Sequence, residues 1–271
     1  MEEVSLQLCA GDPPIAYISA VDRETTARRL PGVCSFTLWV AREHRTRGIG
    51  SALYAEADRF ARLRRLAHLE TWVSLSERDK PGVRFLERRG FAEADRLVPA
   101  LLDLTAFDQS RFVSPAPDGI TFFSFAEAGE TIENRRRLYT LAMALDRDIP
   151  ANDHPEPPLF EEFVKHFDRP EWDNEALMLA ASDSGEWVGV SQLRFQEDTG
   201  IAWTFLTVVL PECRGRGIAL ALKLRAIDVA IARGCSLILT ENHEDNAPMR
   251  AINKKLGFVP DAPAVNYIKD L

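Results

Sequence analysis

The chain has 271 residues, 46% hydrophobic and 27% charged, so it is long enough for one large or two small globular domains and is not disordered. Its formal net charge of −8 disfavours nucleic acid as a partner, and no apolar run is long enough to cross a membrane. The acidic start MEEVSLQLCA is unlike a signal peptide, the four cysteines form no CxxC motif, and the five histidines lack metal-ligand spacing. We therefore expect a cytoplasmic protein with reduced thiols and no metal.

The first part of the chain has room for about three strands before a glycine-rich loop, Arg45–Gly50. That loop, RTRGIG, recurs 169 positions later as RGRGIA at Arg214–Ala219, and Gly90-Phe91 recurs 167 positions later as Gly257-Phe258. The shared order and spacing indicate two copies of one module. The first copy is shorter: either it lost its front end, or the chain begins downstream of the natural start.

The remaining elements follow from periodicity and turn residues. We predict a strand over 120–125, helices over 131–146 and 159–168, and strands over 175–181, 187–195 and 201–210. A helix over 217–233, a strand over 236–240, a helix over 247–256 and a strand over 264–269 complete the chain. This order predicts a mixed α/β sheet. A Pro-, Ser- and Gly-rich stretch places a linker at 111–119, between a shortened module at 1–110 and a complete module at 120–271.

The acidic excess lies entirely in the second half of the chain. Residues 1–110 carry 16 basic and 16 acidic side chains, whereas 111–271 carry 17 and 25. Ten of these acids fall within 145–175. They are either a solvated surface or an acidic mouth that attracts a cationic ligand.

The glycine loops have the chemistry of a phosphate site. Gly215 and Gly217 follow a strand and precede a helix, so backbone N–H groups can approach a ligand closely at a helix N-terminus. The alternative is a tight strand-to-helix turn, but repetition of the loop in both copies favours ligand binding. The absence of GxxxxGK(S/T) disfavours a nucleotide-binding P-loop.

Three motifs together resemble the GNAT superfamily of acetyltransferases. They are Thr207-Val208-Val209 with the following loop, Thr240-Glu241-Asn242 at a strand end, and the segment from Asn246 to Phe258. The duplicated arrangement resembles tandem GNAT proteins of the mycothiol synthase type. The resemblance implies two acyltransferase modules, the first incomplete, and acetyl-CoA as the donor.

The cofactor-binding residues implied by this resemblance are Thr207, Val208, Val209, Arg214, Gly215, Arg216, Gly217, Ile218, Ala219, Leu220, Asn246 and Asn253. The corresponding residues of the first copy predict a second cofactor site: Leu38, Trp39, Val40, Arg45, Thr46, Arg47, Gly48, Ile49 and Gly50. Asn246 also reads as a helix N-cap, and both roles can hold together.

The resemblance further implies direct attack of an amine on the thioester. Glu241 is the first candidate for the general base, with Glu197, Asp198, His243 or water as alternatives. Asn253 occupies the position where many GNAT proteins have a tyrosine that acts as the general acid. The asparagine amide can donate a hydrogen bond but cannot deliver a proton.

Leu86 stands at that tyrosine position in the first copy, so we expect catalysis only in the second. Asp148, after the first helix of the second copy, is the candidate acceptor contact, with turn capping as the alternative. The expected function is N-acetylation of a small-molecule primary amine. The alternative is an acetyl-CoA-binding regulatory or scaffold protein without turnover.

Overall fold

The computed structural model describes residues 4–25, 30–112, 117–146, 157–169, 172–196 and 198–271. In chain order the strands are β1 (Ser5–Ala10), β2 (Ala16–Asp22), β3 (Val33–Val40), β4 (His68–Ser74), β5 (Ala92–Asp103), β6 (Ile120–Ser124), β7 (Trp172–Ser182), β8 (Trp187–Gln196), β9 (Ile201–Val209), β10 (Leu237–His243), β11 (Val259–Pro260) and β12 (Ala264–Asp270). The helices are α1 (Ile49–Leu63), α2 (Lys80–Glu87), α3 (Phe125–Ala128), α4 (Ile132–Asp146), α5 (Phe160–Phe163), α6 (Ile218–Ala232) and α7 (Ala247–Leu256). Short 3-10 turns occupy Arg23–Thr25, Arg42–His44, Gln109–Phe112, Val164–Asp168 and Pro211–Cys213.

The mixed α/β fold is as predicted, and three strands precede the first glycine loop. Two local features differ from the prediction. Only the first turn of the helix expected over 159–168 is α-helical, and a 3-10 turn continues it. The one-turn helix α3 was not predicted; Ser124 starts it through a capping box with Glu127. None of the described helices is long and apolar enough to span a membrane.

The chain forms two compact units. Unit 1 comprises the described parts of 1–97, 151–158 and 262–271, and unit 2 those of 98–150 and 159–261. In unit 1 the strand order is β1-β2-β3-β4-β12-β5, with β3 and β4 parallel and the other neighbours antiparallel. α1 and α2 cover one face of this sheet, and no described helix of unit 1 covers the other.

Unit 1 therefore contains the last strand of the chain, whereas sequence order placed residues 264–269 in the second module. Val265 and Tyr267 fill the core of unit 1 together with Ala57 of α1. Between them, Asn266 Nδ2 donates a 3.1 Å hydrogen bond to the buried carboxylate of Glu70. An apolar, alternating strand fits any sheet with a complementary core, so this partner is decided by tertiary contacts.

In unit 2 the strand order is β10-β9-β8-β7-β6, with the second part of β5 beside β10. β9 and β10 are parallel, and β6 to β9 are antiparallel. Helices cover both faces, which gives two cores. The α6 core packs α6 and α7 on one face through residues such as Leu222 and Leu256. The α4 core packs α3, α4 and α5 on the other through residues such as Leu138 and Phe163.

Candidate functional site

In unit 2 the glycine loop joins β9 to α6 and leaves open space in front of its backbone. Gly215 and Gly217 have φ of +75° and +84°, and a Cβ built on either would meet no atom within 4 Å. Both glycines thus adopt the left-handed conformation that side chains disfavour, and the loop amides face no side-chain obstacle. Gly217 is the N-cap of α6, whose first-turn N–H groups include those of Ile218, Ala219 and Leu220. This geometry fits a pyrophosphate group.

The arginines of the loop contact backbone carbonyl groups of their own unit. Arg214 Nε donates to the Val209 carbonyl oxygen at 2.9 Å, and Arg216 Nη2 donates to the Asp118 carbonyl oxygen at 2.5 Å. The first bond ties the loop to the end of β9. The two arginine side chains therefore hold the loop in its conformation, in addition to the positive charge that they place near a bound anion.

Unit 1 contains the same loop geometry. Gly48 is the N-cap of α1 with φ of +85°, and Arg45 Nε donates to the Val40 carbonyl oxygen at 3.0 Å. Thr46 occupies the position of Gly215 and has φ of +63°, a conformation that is uncommon for a β-branched residue. The predicted second cofactor site thus has a formed loop between Trp39-Val40 and Ile49-Gly50.

The strand before each loop separates from its parallel neighbour. β9 pairs with β10 over three residue pairs only, ending at Leu239–Trp203, and β3 pairs with β4 over three pairs ending at Ser35–Glu70. Leu210 N–H bonds the Val188 carbonyl oxygen on β8. Because alternate residues of a strand point their N–H groups to opposite edges, the N–H groups of Thr207 and Val209 point into the gap beside β10. An extended pantetheine arm can pair with such an edge.

A β-bulge lies at the start of this gap in unit 2. The register of β8 against β9 shifts between Gln192–Leu206 and Leu193–Thr204, so Phe205 is the extra residue. The corresponding pair in unit 1, β2 and β3, runs without a shift from Ala16–Val40 to Asp22–Cys34.

Glu241 lies on β10 across the gap from β9. Its side chain reaches solvent, yet partial desolvation raises the pKa of its carboxyl group above the ordinary value. A raised pKa suits a general base, because it strengthens the carboxylate's hold on a proton taken from an amine. The position 169 residues earlier is Trp72, so the first copy has no carboxylate there.

Asn253 is buried on α7 and faces β10. Its Nδ2 donates to Asn242 Oδ1 at 2.6 Å, and its own Oδ1 has no hydrogen-bond partner among the described residues. Asn246 has the predicted capping geometry at the start of α7: its side chain accepts from the Met249 N–H at 3.3 Å.

The alternative base candidates differ in their placement. Asp198 lies in the turn between β8 and β9 with φ of +57°. His243 is buried, and its Nδ1 accepts from the Asp245 N–H at 3.1 Å. Glu197 and the acceptor candidate Asp148 lie outside the described residues.

Two GNAT family models match the chain, one in each half. Residues 140–258 match the acetyltransferase (GNAT) family and residues 8–93 match an acetyltransferase (GNAT) domain. The chain belongs to the GNAT family of acetyltransferases. It carries two GNAT domains in tandem, which makes it an N-acetyltransferase of class EC 2.3.1, and its family uses acetyl-CoA as co-substrate.

Three similar proteins each match most of this chain. Mycothiol acetyltransferase of Saccharomonospora viridis is 26% identical over 234 residues, covering 83% of this chain and 70% of that protein. A GCN5-related N-acetyltransferase from Sphaerobacter thermophilus superposes with a TM-score of 0.78 at 21% identity, covering 98% of this chain and 80% of that one. A tandem GNAT protein from the clavulanic acid biosynthesis pathway also gives 0.78, at 20% identity, covering 99% and 83%. The two structural likenesses show the fold.

Sequence reasoning missed two features of this GNAT site. One is the bulge at Phe205, which becomes visible only when the residues of β8 and β9 are paired in the structure. The other is Gln192, which is 2% exposed on β8 beside the bulge. The available signal was the pair of uncharged polar residues Ser191 and Gln192 within the strand sequence WVGVSQLRF.

Proposed function

We propose that unit 2 transfers the acetyl group of acetyl-CoA to the primary amine of a small molecule. The amine nitrogen attacks the thioester carbon, the carbon–sulfur bond breaks, and CoA leaves as the thiolate. Glu241 takes the amine proton, directly or through water. The observation that carries the proposal is the coincidence in unit 2 of an open glycine loop, a separated strand edge and a carboxylate with a raised pKa.

The cofactor contacts in this proposal follow the geometry of β9, α6 and α7. The loop amides from Gly215 to Leu220 would hold the pyrophosphate, and the Thr207–Val209 edge would pair with the pantetheine arm. The Val209 N–H would donate to the thioester oxygen as negative charge grows there, an interaction that contributes about 3 to 4 kcal/mol in well-formed oxyanion sites. Asn253 Nδ2 would donate a hydrogen bond near the departing sulfur, which takes its proton from water.

Unit 1 retains the cofactor geometry without the catalytic candidates. Trp72 and Leu86 stand where unit 2 has Glu241 and Asn253. We therefore assign unit 1 no turnover and a second acetyl-CoA site at its loop. This retained loop also favours a second candidate function, an acetyl-CoA-binding regulatory protein.

A CoA-release assay with an amine library tests the proposal. Acetyl-CoA-dependent CoA release that requires an amine and yields the acetylated amine supports the enzyme. Binding of acetyl-CoA by calorimetry without release on any amine supports the regulatory protein instead. Asp148→Asn should raise the KM of a cationic acceptor and leave that of acetyl-CoA unchanged, if the acidic stretch 145–175 attracts the acceptor.

A further inference from the structure

The layer between α4 and the sheet of unit 2 contains buried hydrogen-bond donors without acceptors. Gln192 is 2% exposed, and its Nε2 has no partner among the described residues. The Nε of Arg135 is also buried without a partner in that part of the chain. Burying a donor unpaired costs free energy, so two such atoms in one layer call for an acceptor that the described residues do not supply.

Strand pairing and helix periodicity place both donors in this layer. Gln192 pairs with Leu206 across β8 and β9, and Leu206 packs against the α4 core. Directly paired residues share one face of a sheet, so Gln192 points toward the same core. On α4, Arg135 precedes the buried Leu138 by three residues and therefore lies on the same side of the helix.

A row of aromatic rings lines the layer. Phe167 and Trp172 lie 5.0 Å apart between ring centroids, and Trp172 and Phe205 lie 6.2 Å apart. The Arg135 guanidinium carbon is 4.7 Å from the Phe167 centroid, and that of Arg194 is 3.4 Å from the Phe205 centroid. A guanidinium group stacked on a ring presents N–H groups at its edge, where they match the two oxygens of a carboxylate.

The candidate base faces the same side of the sheet. Ile238 packs in the α6 core, and Glu241 lies three residues farther along β10, so its side chain points to the opposite face, that of the α4 core. Two paired strand spacings amount to about 10 Å, and the gap between β9 and β10 makes the distance from β8 to β10 at Glu241 larger than this. An acceptor that spans this distance can place an amine near Glu241 and a second polar group near Gln192.

We infer that the acceptor is an amine that also carries a carboxylate or another anionic oxygen group, and that Gln192 Nε2 and the Arg135 guanidinium hydrogen-bond to that group. The inference rests on the proposed function and names the substrate class of the same site. Gln192 and Arg135 are specificity residues in this arrangement, and Arg194 adds a second positive charge on the same face of β8.

Two described acids of this unit have partners in the chain. Asp173 pairs with Arg233 at 2.5 Å, and Glu162 accepts from the Leu159 N–H at 3.2 Å. The Arg135 guanidinium, stacked on Phe167, brings a positive charge to the aromatic row.

The test compares each candidate acceptor in three forms: the amino acid, its neutral amide, and the amine without the carboxyl group. The amino-acid form should have a kcat/KM at least tenfold above the other two. Release of CoA from all three without preference, or a preference for the amine alone, would overturn the inference and leave the proposed function standing. Absence of CoA release from every form, with acetyl-CoA bound, would overturn the proposed function and the inference together.

Gln192→Met and Arg135→Met then test the two residues. Each should reduce the amino-acid-to-amide ratio of kcat/KM about tenfold and leave the KM of acetyl-CoA unchanged. The melting temperature of the Gln192→Met protein should not fall, because the change removes an unpaired buried donor. Gln196→Met makes the same chemical change at an exposed position on β8 and should alter neither quantity. A ratio that stays constant in both variants overturns the inference. A loss of folded protein would lower the apparent kcat/KM of both substrates equally, so it would not change the ratio.

Discussion

Units 1 and 2 share the glycine loop and separated strand that we propose as the donor site, and they differ in the elements around the proposed acceptor site. Both have the arginine-anchored glycine loop and a strand that separates from its parallel neighbour after three residue pairs. Among the described residues, only those of unit 2 form a bulge at the separation point and helices over the second face of the sheet. In unit 1 that face exposes Trp39 and Trp72, which are 42% and 40% exposed.

In the proposed function, cofactor binding and catalysis depend on different parts of the module. The loop and the strand edge need only glycine spacing and one strand-to-helix connection, which both copies retain. A wall for the acceptor needs the helices that follow β6, and unit 1 has no counterpart of them among its described residues. A duplicated module can therefore keep the cofactor geometry without the acceptor wall.

The largest effect is expected from removing the candidate base. Glu241→Gln keeps the side-chain shape and should lower kcat about 10²-fold or more, with little change in the affinity for acetyl-CoA. Because the folded pKa of Glu241 is raised, the wild-type rate should increase with pH as this carboxyl group loses its proton, and the variant should lose that increase. Steady-state rates across a pH series measure both.

Trp72→Phe is the matched control in unit 1 and should leave kcat unchanged. An unaltered pH–rate profile in the Glu241→Gln protein would move the base to Glu197, Asp198, His243 or water.

The loops provide the second comparison. Gly217→Asp puts a negative charge where the pyrophosphate should lie and should weaken acetyl-CoA binding at least tenfold, about 1.4 kcal/mol. Gly48→Asp should matter less for turnover. Since φ at Gly217 is +84°, Gly217→Ala separates backbone strain from charge: calorimetry should find weaker binding for Asp than for Ala. Equal affinity in wild type and the folded Asp variant would remove the loop from the cofactor site.

A buried lysine in unit 2, absent from the equivalent position of unit 1, should make the stability of the protein depend on pH. Lys223 on α6 is 3% exposed, and desolvation lowers its pKa to about 7, while its counterpart Tyr54 accepts a 3.1 Å hydrogen bond from Lys269. Between about pH 7 and its unfolded pKa, the unfolded state binds more protons at Lys223 than the folded state, so stability should rise with pH in this window.

Lys223→Met should remove this rise and raise the free energy of unfolding at neutral pH by roughly 1 to 3 kcal/mol. Chemical denaturation between pH 6 and about 9 measures the difference. If wild type and variant show the same pH dependence, another group controls it.

The smallest effect concerns the two loop residues with equivalent left-handed backbones. Thr46→Gly relieves a φ of +63° and should stabilise the protein by about 0.5 to 1 kcal/mol. Gly215→Thr should destabilise it by a similar amount, because it introduces the same strain in unit 2. Melting temperatures of the two variants measure these changes. The Thr46 hydroxyl donates to the Arg45 carbonyl oxygen at 2.6 Å. A destabilised Thr46→Gly protein would mean that this hydrogen bond contributes more to stability than relief of the strain.

The amino-acid sequence by itself determined the local features of this protein. The spacing of Gly48 and Gly217 revealed the duplication and both loops, apolar periodicity located most helices and strands, and Asn246 with Pro248 marked the start of α7. These features depend on residues close together in the chain, so short-range patterns suffice to predict them.

Only the tertiary structure decided which strands and side chains meet. β12 carries the same alternation that would fit either sheet, and it joins unit 1 because Val265, Tyr267 and Asn266 find their partners there. The bulge at Phe205 and the unpaired amide of Gln192 likewise exist only relative to a neighbouring strand or helix. Their energies depend on contacts between distant parts of the chain, which composition and periodicity do not encode.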